Sequence, residues 1–258
     1  MMRNLLFLAA GIGLPLCFTG CSGEEDMNAK MAEAAIQAKQ GDWKNAGENA
    51  AVVAEAKPDE VAPKLLQVLA YEKAGSDDKA LDLARQCVEI APEDFTARYT
   101  LGRLAAKNPM RRSEAFAILE RALELKSEDR NTLVLLCNLG TELNHPRVIK
   151  YLHQLRQTKE FAASPVLYYH FGCYFIQTKN YVQAEKWLHS AVKMGIRSKD
   201  WNVVLNSTRR LDQTGYFPQK VRNWYVLYRN VSGNRGAEHK EVCARIKELD
   251  RRNTGRRR

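Results

Sequence analysis

Gly41-Asp42-Trp43-Lys44-Asn45-Ala46 decides how this chain reads. Val53 follows Ala46 by seven residues and Pro58 follows it by twelve. The pattern returns when Gly75 precedes Ala80 by five, with Cys87 seven and Pro92 twelve residues further on. Ala115 is followed by Leu119 and Ala122, and Lys179-Asn180-Tyr181-Val182-Gln183-Ala184 by Leu188 and Ala191. The lead alanines stand 34, 35 and 69 residues apart, and the last gap is two steps of normal length, so a degenerate repeat is expected near Ile149. A seven-residue step is two turns of α-helix, which puts both small residues on one face. Proline cannot continue a helix and disfavours α geometry in the residue before it, so Pro58 and Pro92 end the helices that carry them. The chain reads as helix pairs, each with an amphipathic face that only a stacked neighbour can bury.

This pattern resembles the tetratricopeptide repeat (TPR) over about residues 27–196. That family places a small residue in the middle of its first helix, where Ala34, Gly102, Cys137 and Gly172 fall here and Val68 departs. The resemblance implies an all-α fold: a right-handed superhelix of about five to six antiparallel helix pairs with a C-terminal capping helix. Repeats are expected at about 27–60, 61–94, 95–129, 130–164 and 165–198, giving ten helices. The third repeat has an extra residue in its Asn108-Pro109-Met110-Arg111-Arg112 turn, and Asn144-His145-Pro146 marks the turn of the fourth. Tyr168, Phe171 and Phe175 fall at i, i+3, i+7, a helical core stripe. Beyond the repeats, residues 199–250 read as a degenerate helix pair, Trp201–Asp212 and Val221–Asn230, followed by a helix over Ala237–Asp250 with Val242, Ile246 and Leu249 on one face. Residues 251–258 read as a basic disordered tail.

The 258 residues are 45% hydrophobic and 27% charged, which excludes disorder and collagen-like repeats. A mean hydropathy of -0.45 excludes a multi-span membrane protein. The net charge of +10 is uneven. Residues 21–150 carry 18 basic and 22 acidic side chains, residues 151–258 carry 21 and 8. The basic half reads either as a solvated surface or as a surface for an anionic partner.

At the N-terminus, Arg3 precedes an apolar run from Leu5 to Leu16, which has the length of a signal-peptide core and is too short for a membrane span. Phe18-Thr19-Gly20-Cys21 resembles the lipobox of bacterial lipoproteins. That resemblance implies a signal peptide at 1–20 and acyl chains, palmitate among them, on Cys21. It also implies a bacterial envelope location in which Ser22 leans towards the outer membrane. Residues 21–26 read as a lipid-proximal spacer, and Ser22-Gly23-Glu24-Glu25-Asp26 also resembles the acidic surface-export signal of some bacterial groups. Cys87, Cys137, Cys173 and Cys243 remain. An exported compartment permits disulfides, whereas the repeat register gives Cys87 and Cys137 buried packing roles.

No phosphate-binding loop, zinc-protease HExxH or nucleophile elbow is present, and the five histidines lack metal-ligand spacing. No cofactor, metal or catalysis is expected. In TPR proteins the first helix of each pair lines a concave groove. That resemblance implies groove positions at Tyr99, Arg103, Lys107, Asn138, Glu142, Tyr169, Cys173 and Gln177. Arg103 and Lys107 lie one turn apart and are suited to a carboxylate. The full carboxylate-clamp set is missing, because Met31, Ala35, Leu65 and Leu69 stand at its earlier positions. A second surface comprises Arg245, Arg251, Arg252, Arg256, Arg257 and Arg258, fitted to anionic lipid or polysaccharide, since nucleic-acid signatures are absent.

The expectation is a membrane-anchored adaptor or assembly factor that binds an envelope protein or peptide in its groove. Two rivals are an electrostatic tether acting through the basic C-terminal region and an enzyme using Cys173 with His170.

Overall fold

The computed structural model of the protein describes residues 21–232 and 237–255. Residues 1–20, expected as a signal peptide, and the last arginines, 256–258, lie outside the described residues. The described chain is helical throughout, with thirteen α-helices and no strand. It divides into two compact units that meet in sequence at Pro92 and Glu93.

The first unit holds α1 (Cys21–Gln40), α2 (Trp43–Ala56), α3 (Val61–Lys73) and α4 (Asp77–Ile90). The stretch expected as a spacer is helical, because α1 begins at Cys21. The Gly-Asp pair of the opening motif has two jobs. Gly41 takes a left-handed φ of +84°, which costs glycine little. That lets the Asp42 N–H return to the Gln37 carbonyl at 2.9 Å and close the end of α1. The Asp42 carboxylate then accepts from the Asn45 N–H and caps α2. Gly75 (φ +74°) and Ser76 close α3 in the same way, with Ser76 N–H to Tyr71 carbonyl at 2.9 Å. Ala34, Ala46, Ala50, Val53, Val68, Ala80, Ala84 and Cys87 form the core of this unit. The packing is close: a Cβ on Gly47 would stand 2.8 Å from that of Ala70.

The second unit runs α5 (Phe95–Lys107), α6 (Arg112–Leu125), α7 (Arg130–Glu142), α8 (Val148–Gln157), α9 (Pro165–Gln177), α10 (Tyr181–Ser198), α11 (Trp201–Asp212), α12 (Pro218–Ser232) and α13 (Ala237–Gly255). The extra residue of the third repeat is absorbed by a 3₁₀ turn, Pro109–Arg111, whose entry Asn108 caps through Met110 N–H. The residues before α5, α7 and α9, namely Asp94, Asp129 and Ser164, recur every 35 positions, and the two aspartates cap through Ala97 and Thr132 N–H. Asn144, Lys179 and Lys199 take the left-handed turn position that glycine fills in the first unit. The same return hydrogen bond forms behind each, His145 to Gly140, Asn180 to Phe175 and Asp200 to Gly195.

The degenerate repeat is centred one residue earlier than expected. Val148, Leu152 and Leu155 are buried, and Ile149 is only half-buried. The cause lies on α7, where Gly140 is crossed by Val148: a Cβ there would stand 2.9 Å from the valine and 3.1 Å from Phe116. Val148 needs that clearance, so it takes the place held by alanine in the other repeats.

Phe171 is buried, and the half-buried Tyr168 and Phe175 flank it on Trp187, with centroids at 4.4, 5.3 and 6.5 Å. The chain from α10 onward shares one apolar cluster, including Val204, Leu211, Val221, Trp224, Val242, Ile246 and Leu249. Helix α13 continues to Gly255, so residues 251–255 of the expected tail are helical.

Candidate functional site

The expected groove residues all lie in the second unit, on α5, α7 and α9. These first helices of their pairs pack side by side, α5 with α7, α7 with α9, and α9 with α11. The row is stitched by polar contacts. Gln177 donates to the Thr141 carbonyl at 3.1 Å, and His170 Nδ1 lies 3.0 Å from the Thr141 hydroxyl, both joining α9 to α7.

On α5, Tyr99 is half-buried and stacks on Phe95 at 5.8 Å, Arg103 is half-buried and Lys107 is exposed. On α7, Asn138 is half-buried. Glu142 pairs with Arg112 of α6 at 3.0 Å, which neutralises the one acid of the set. On α9, Tyr169 is half-buried, while Cys173 is 1% exposed and offers no surface to a ligand. Burial pushes the Cys173 thiol up in pKa, against the direction a thiolate nucleophile requires. His170 turns to Thr141, and burial lowers its pKa to about 4. The Cys173–His170 pair therefore lacks the geometry of a nucleophile and its base.

Of the second expected surface, Arg245, Arg251 and Arg252 lie among the described residues. Arg245 donates from Nε and Nη2 to Asp212, both at 2.7 Å, and from Nη1 to Glu248. The Asp212 hydrogen bond holds its guanidinium above the ordinary pKa. Arg252 donates to Glu248, Arg222 pairs with Asp250, and Arg209 with Glu241. Arg251 is exposed. Arg209, Arg222 and Arg245 fasten α13 to α11 and α12, so Arg245 is a structural side chain and not one held out to a polymer.

Two features escaped the sequence reading. One is Arg210 on α11, half-buried, which donates from Nη1 to the Gln213 side-chain oxygen at 3.3 Å. It lies outside the helix pairs that carry the repeat, so no motif pointed to it. The other is a cleft of about 600 Å³ in the first unit, between α2 and α3, lined by Trp43, Gly47, Ala51, Ala70, Tyr71 and Lys73. The Lys73 ammonium sits 5.5 Å from the Trp43 ring centre. The legible signal was the Trp43 of the opening motif. Among the described residues no group of His, Cys, Asp and Glu is arranged to hold a metal ion. No described helix is long and apolar enough to cross a membrane.

The helices repeat one arrangement. They are antiparallel pairs of 34 to 35 residues, closed by the same turn and packed through small residues, and this is the tetratricopeptide-repeat fold. Solved structures agree. The crystal structure of MamA protein superposes with a TM-score of 0.59 at 17% identity, covering 69% of this chain and 96% of that one. YrrB, described as a TPR protein with an unusual peptide-binding site, gives 0.60 at 15% identity, covering 69% and 92%. MamA 41-end from Desulfovibrio magneticus RS-1 gives 0.57 at 15% identity, covering 67% and 97%. At such identities the likeness is one of fold alone. No protein-family model matches the sequence, and no curated protein matches it.

Proposed function

We propose that the protein is a non-catalytic interaction scaffold, held at a bacterial envelope membrane by acyl chains on Cys21, that binds a segment of another envelope protein along α5, α7, α9 and α11. The observation that carries this reading is the unbroken row of first helices in the second unit, with Arg103, Lys107, Asn138 and Gln177 on three of them. YrrB, of the same fold, is described by its peptide-binding site, which supports a protein ligand. The lipid anchor rests on Phe18-Thr19-Gly20-Cys21, with Ser22 favouring the outer membrane.

The test is affinity capture from detergent-solubilised envelopes with the wild-type chain and with Arg103→Glu/Lys107→Glu. The expected result is one stoichiometric protein, retained by the wild type and lost by the double variant. Recovery of only lipid or polysaccharide, unchanged in the double variant, would overturn the scaffold reading in favour of a tether.

A further inference from the structure

The cleft between α2 and α3 is floored by small side chains and walled by rings. Gly47 and Ala51 stand one turn apart on α2, and Ala70 and Ala74 one turn apart at the end of α3, so the floor is wide and apolar. Gln67 also lines it, but its amide is spent on the Ala50 carbonyl at 3.2 Å. Trp43, half-buried and one turn before Gly47, and Tyr71, 37% exposed, supply the aromatic surface. The space of about 600 Å³ falls within the range of clefts that take a ligand, about 300–1,000 Å³.

The rings show which charge they accept. The exposed Lys73 ammonium lies 5.5 Å from the Trp43 ring centre, and the exposed Lys79 ammonium 5.8 Å from that of Tyr71. A ring face carries the negative part of its quadrupole, so both contacts are attractive, and a lysine on a solvated stem can give way to a competing cation. Of the charged side chains lining the cleft, Asp42 and Glu48 balance Lys44 and Lys73. What remains is the excess of the unit. Residues 21–92 carry 8 basic and 14 acidic side chains, a net of -6. Residues 93–258 carry 31 and 16, a net of +15, so the two units select partners of opposite sign.

We propose that the α2–α3 cleft is a docking surface for a basic, amphipathic segment of a partner protein, whose Arg or Lys side chain lies on the Trp43 and Tyr71 rings while a neighbouring apolar side chain covers the floor at Gly47 and Ala70. The negative excess draws the segment in, the rings hold its cation, and the small floor takes its apolar side. Arginine fits better than lysine, because its planar guanidinium stacks on a ring. This surface goes beyond the scaffold reading, which places a partner on the second unit, and stands without it.

The probe is a fluorescein-labelled dodecapeptide of Arg, Leu and Ala with each arginine one helical turn from a leucine, acetylated and amidated, read by anisotropy against the full chain. Trp43→Leu, which keeps an apolar side chain without the ring face, should weaken binding about five-fold or more while the circular dichroism matches the wild type. Lys73→Met removes the resident cation and should tighten binding about two- to three-fold. Lys64→Met removes the same charge near the other end of α3 and should change it by less than about 1.5-fold. Lys73 is exposed, so Lys73→Met decides the matter if Trp43→Leu does not fold. Weaker binding by Lys73→Met would mean that this lysine holds an anion, and equal tightening by Lys64→Met would mean diffuse charge; either overturns the proposal. So would no binding of the basic peptide, or binding of its Glu-for-Arg counterpart that Trp43→Leu weakens. The envelope capture with Arg103→Glu/Lys107→Glu reads the second unit, so the two ideas can fail separately.

Discussion

His170 and the cysteines show what burial does to single groups. His170 is nearly enclosed, with Nδ1 on Thr141 and no partner at Nε2, so it stays neutral until its lowered pKa of about 4 is reached. In the unfolded chain it titrates near the ordinary histidine value of about 6.5. Between those values the unfolded state binds a proton that the native state refuses, so native stability falls as the pH drops through this window. The loss reaches on the order of 3 kcal/mol by pH 4. Urea midpoints followed from pH 7 to 4 should therefore fall more steeply for the wild type than for His170→Gln, and parallel curves would show that His170 does not hold its proton off. The thiols give a second readout. Cys87, Cys137 and Cys173 are buried, with Cys137 pushed up to about 12, whereas Cys243 is partly exposed with its sulfur 3.4 Å from His239 Nε2. Maleimide applied to the native chain should modify Cys243 first of these four and reach the others only in denaturant, as peptide mass mapping would show.

At the scale of the helix, the repeat is held by how closely two helices cross. A Cβ on Gly172 would stand 2.4 Å from Leu188 Cδ2 and 2.5 Å from its Cγ, so α9 and α10 could not keep their present separation. Gly102 faces Leu119 in the same way at 2.7 Å. Gly172→Ala should cost about 1–3 kcal/mol, the usual range for overpacking a filled core. Gly215→Ala has open space around it and should cost only the strain of a positive φ, about 1 kcal/mol. Equal denaturation midpoints for Gly172→Ala and the wild type would mean that the crossing relaxes freely. The element scale also explains the lost alanines of the fourth repeat: clearance moved from α8 to Gly140 of α7, and Val148 could then be larger.

For the molecule as a whole, closure at the C-terminal end depends on a small polar hub. Asp212, at the end of α11, accepts from both Arg245 of α13 and the Tyr225 hydroxyl of α12 at 3.0 Å. Asp212→Ala leaves these donors without their acceptor and should cost about 2–3 kcal/mol. Because a solenoid is stabilised by neighbour contacts, the loss should be local. Hydrogen exchange should show α11, α12 and α13 losing protection while α5 and α6 keep theirs. Uniform loss along the second unit would mean that it unfolds as one cooperative block.

The all-α repeat fold was legible because its determinants are local and periodic. Gly41-Asp42 writes both the end of one helix and the cap of the next, and the alanine spacing records where helices touch. The helix over Trp201–Asp212 and the apolar face of Val242, Ile246 and Leu249 were readable for the same reason. What a side chain does after packing was not readable. Spacing placed Cys173 on an outward face of its helix and Arg245 on a basic stripe, but each depends on partners from helices dozens of residues away. Cys173 is buried once α9 is packed among its neighbours, and Asp212 of α11 takes Arg245 of α13. The sequence by itself determined the helices, their turns and their order of pairing, through propensity and periodicity. Only the tertiary structure decided which charges are matched, because counter-ions are assigned by distance in space and not by position in the chain.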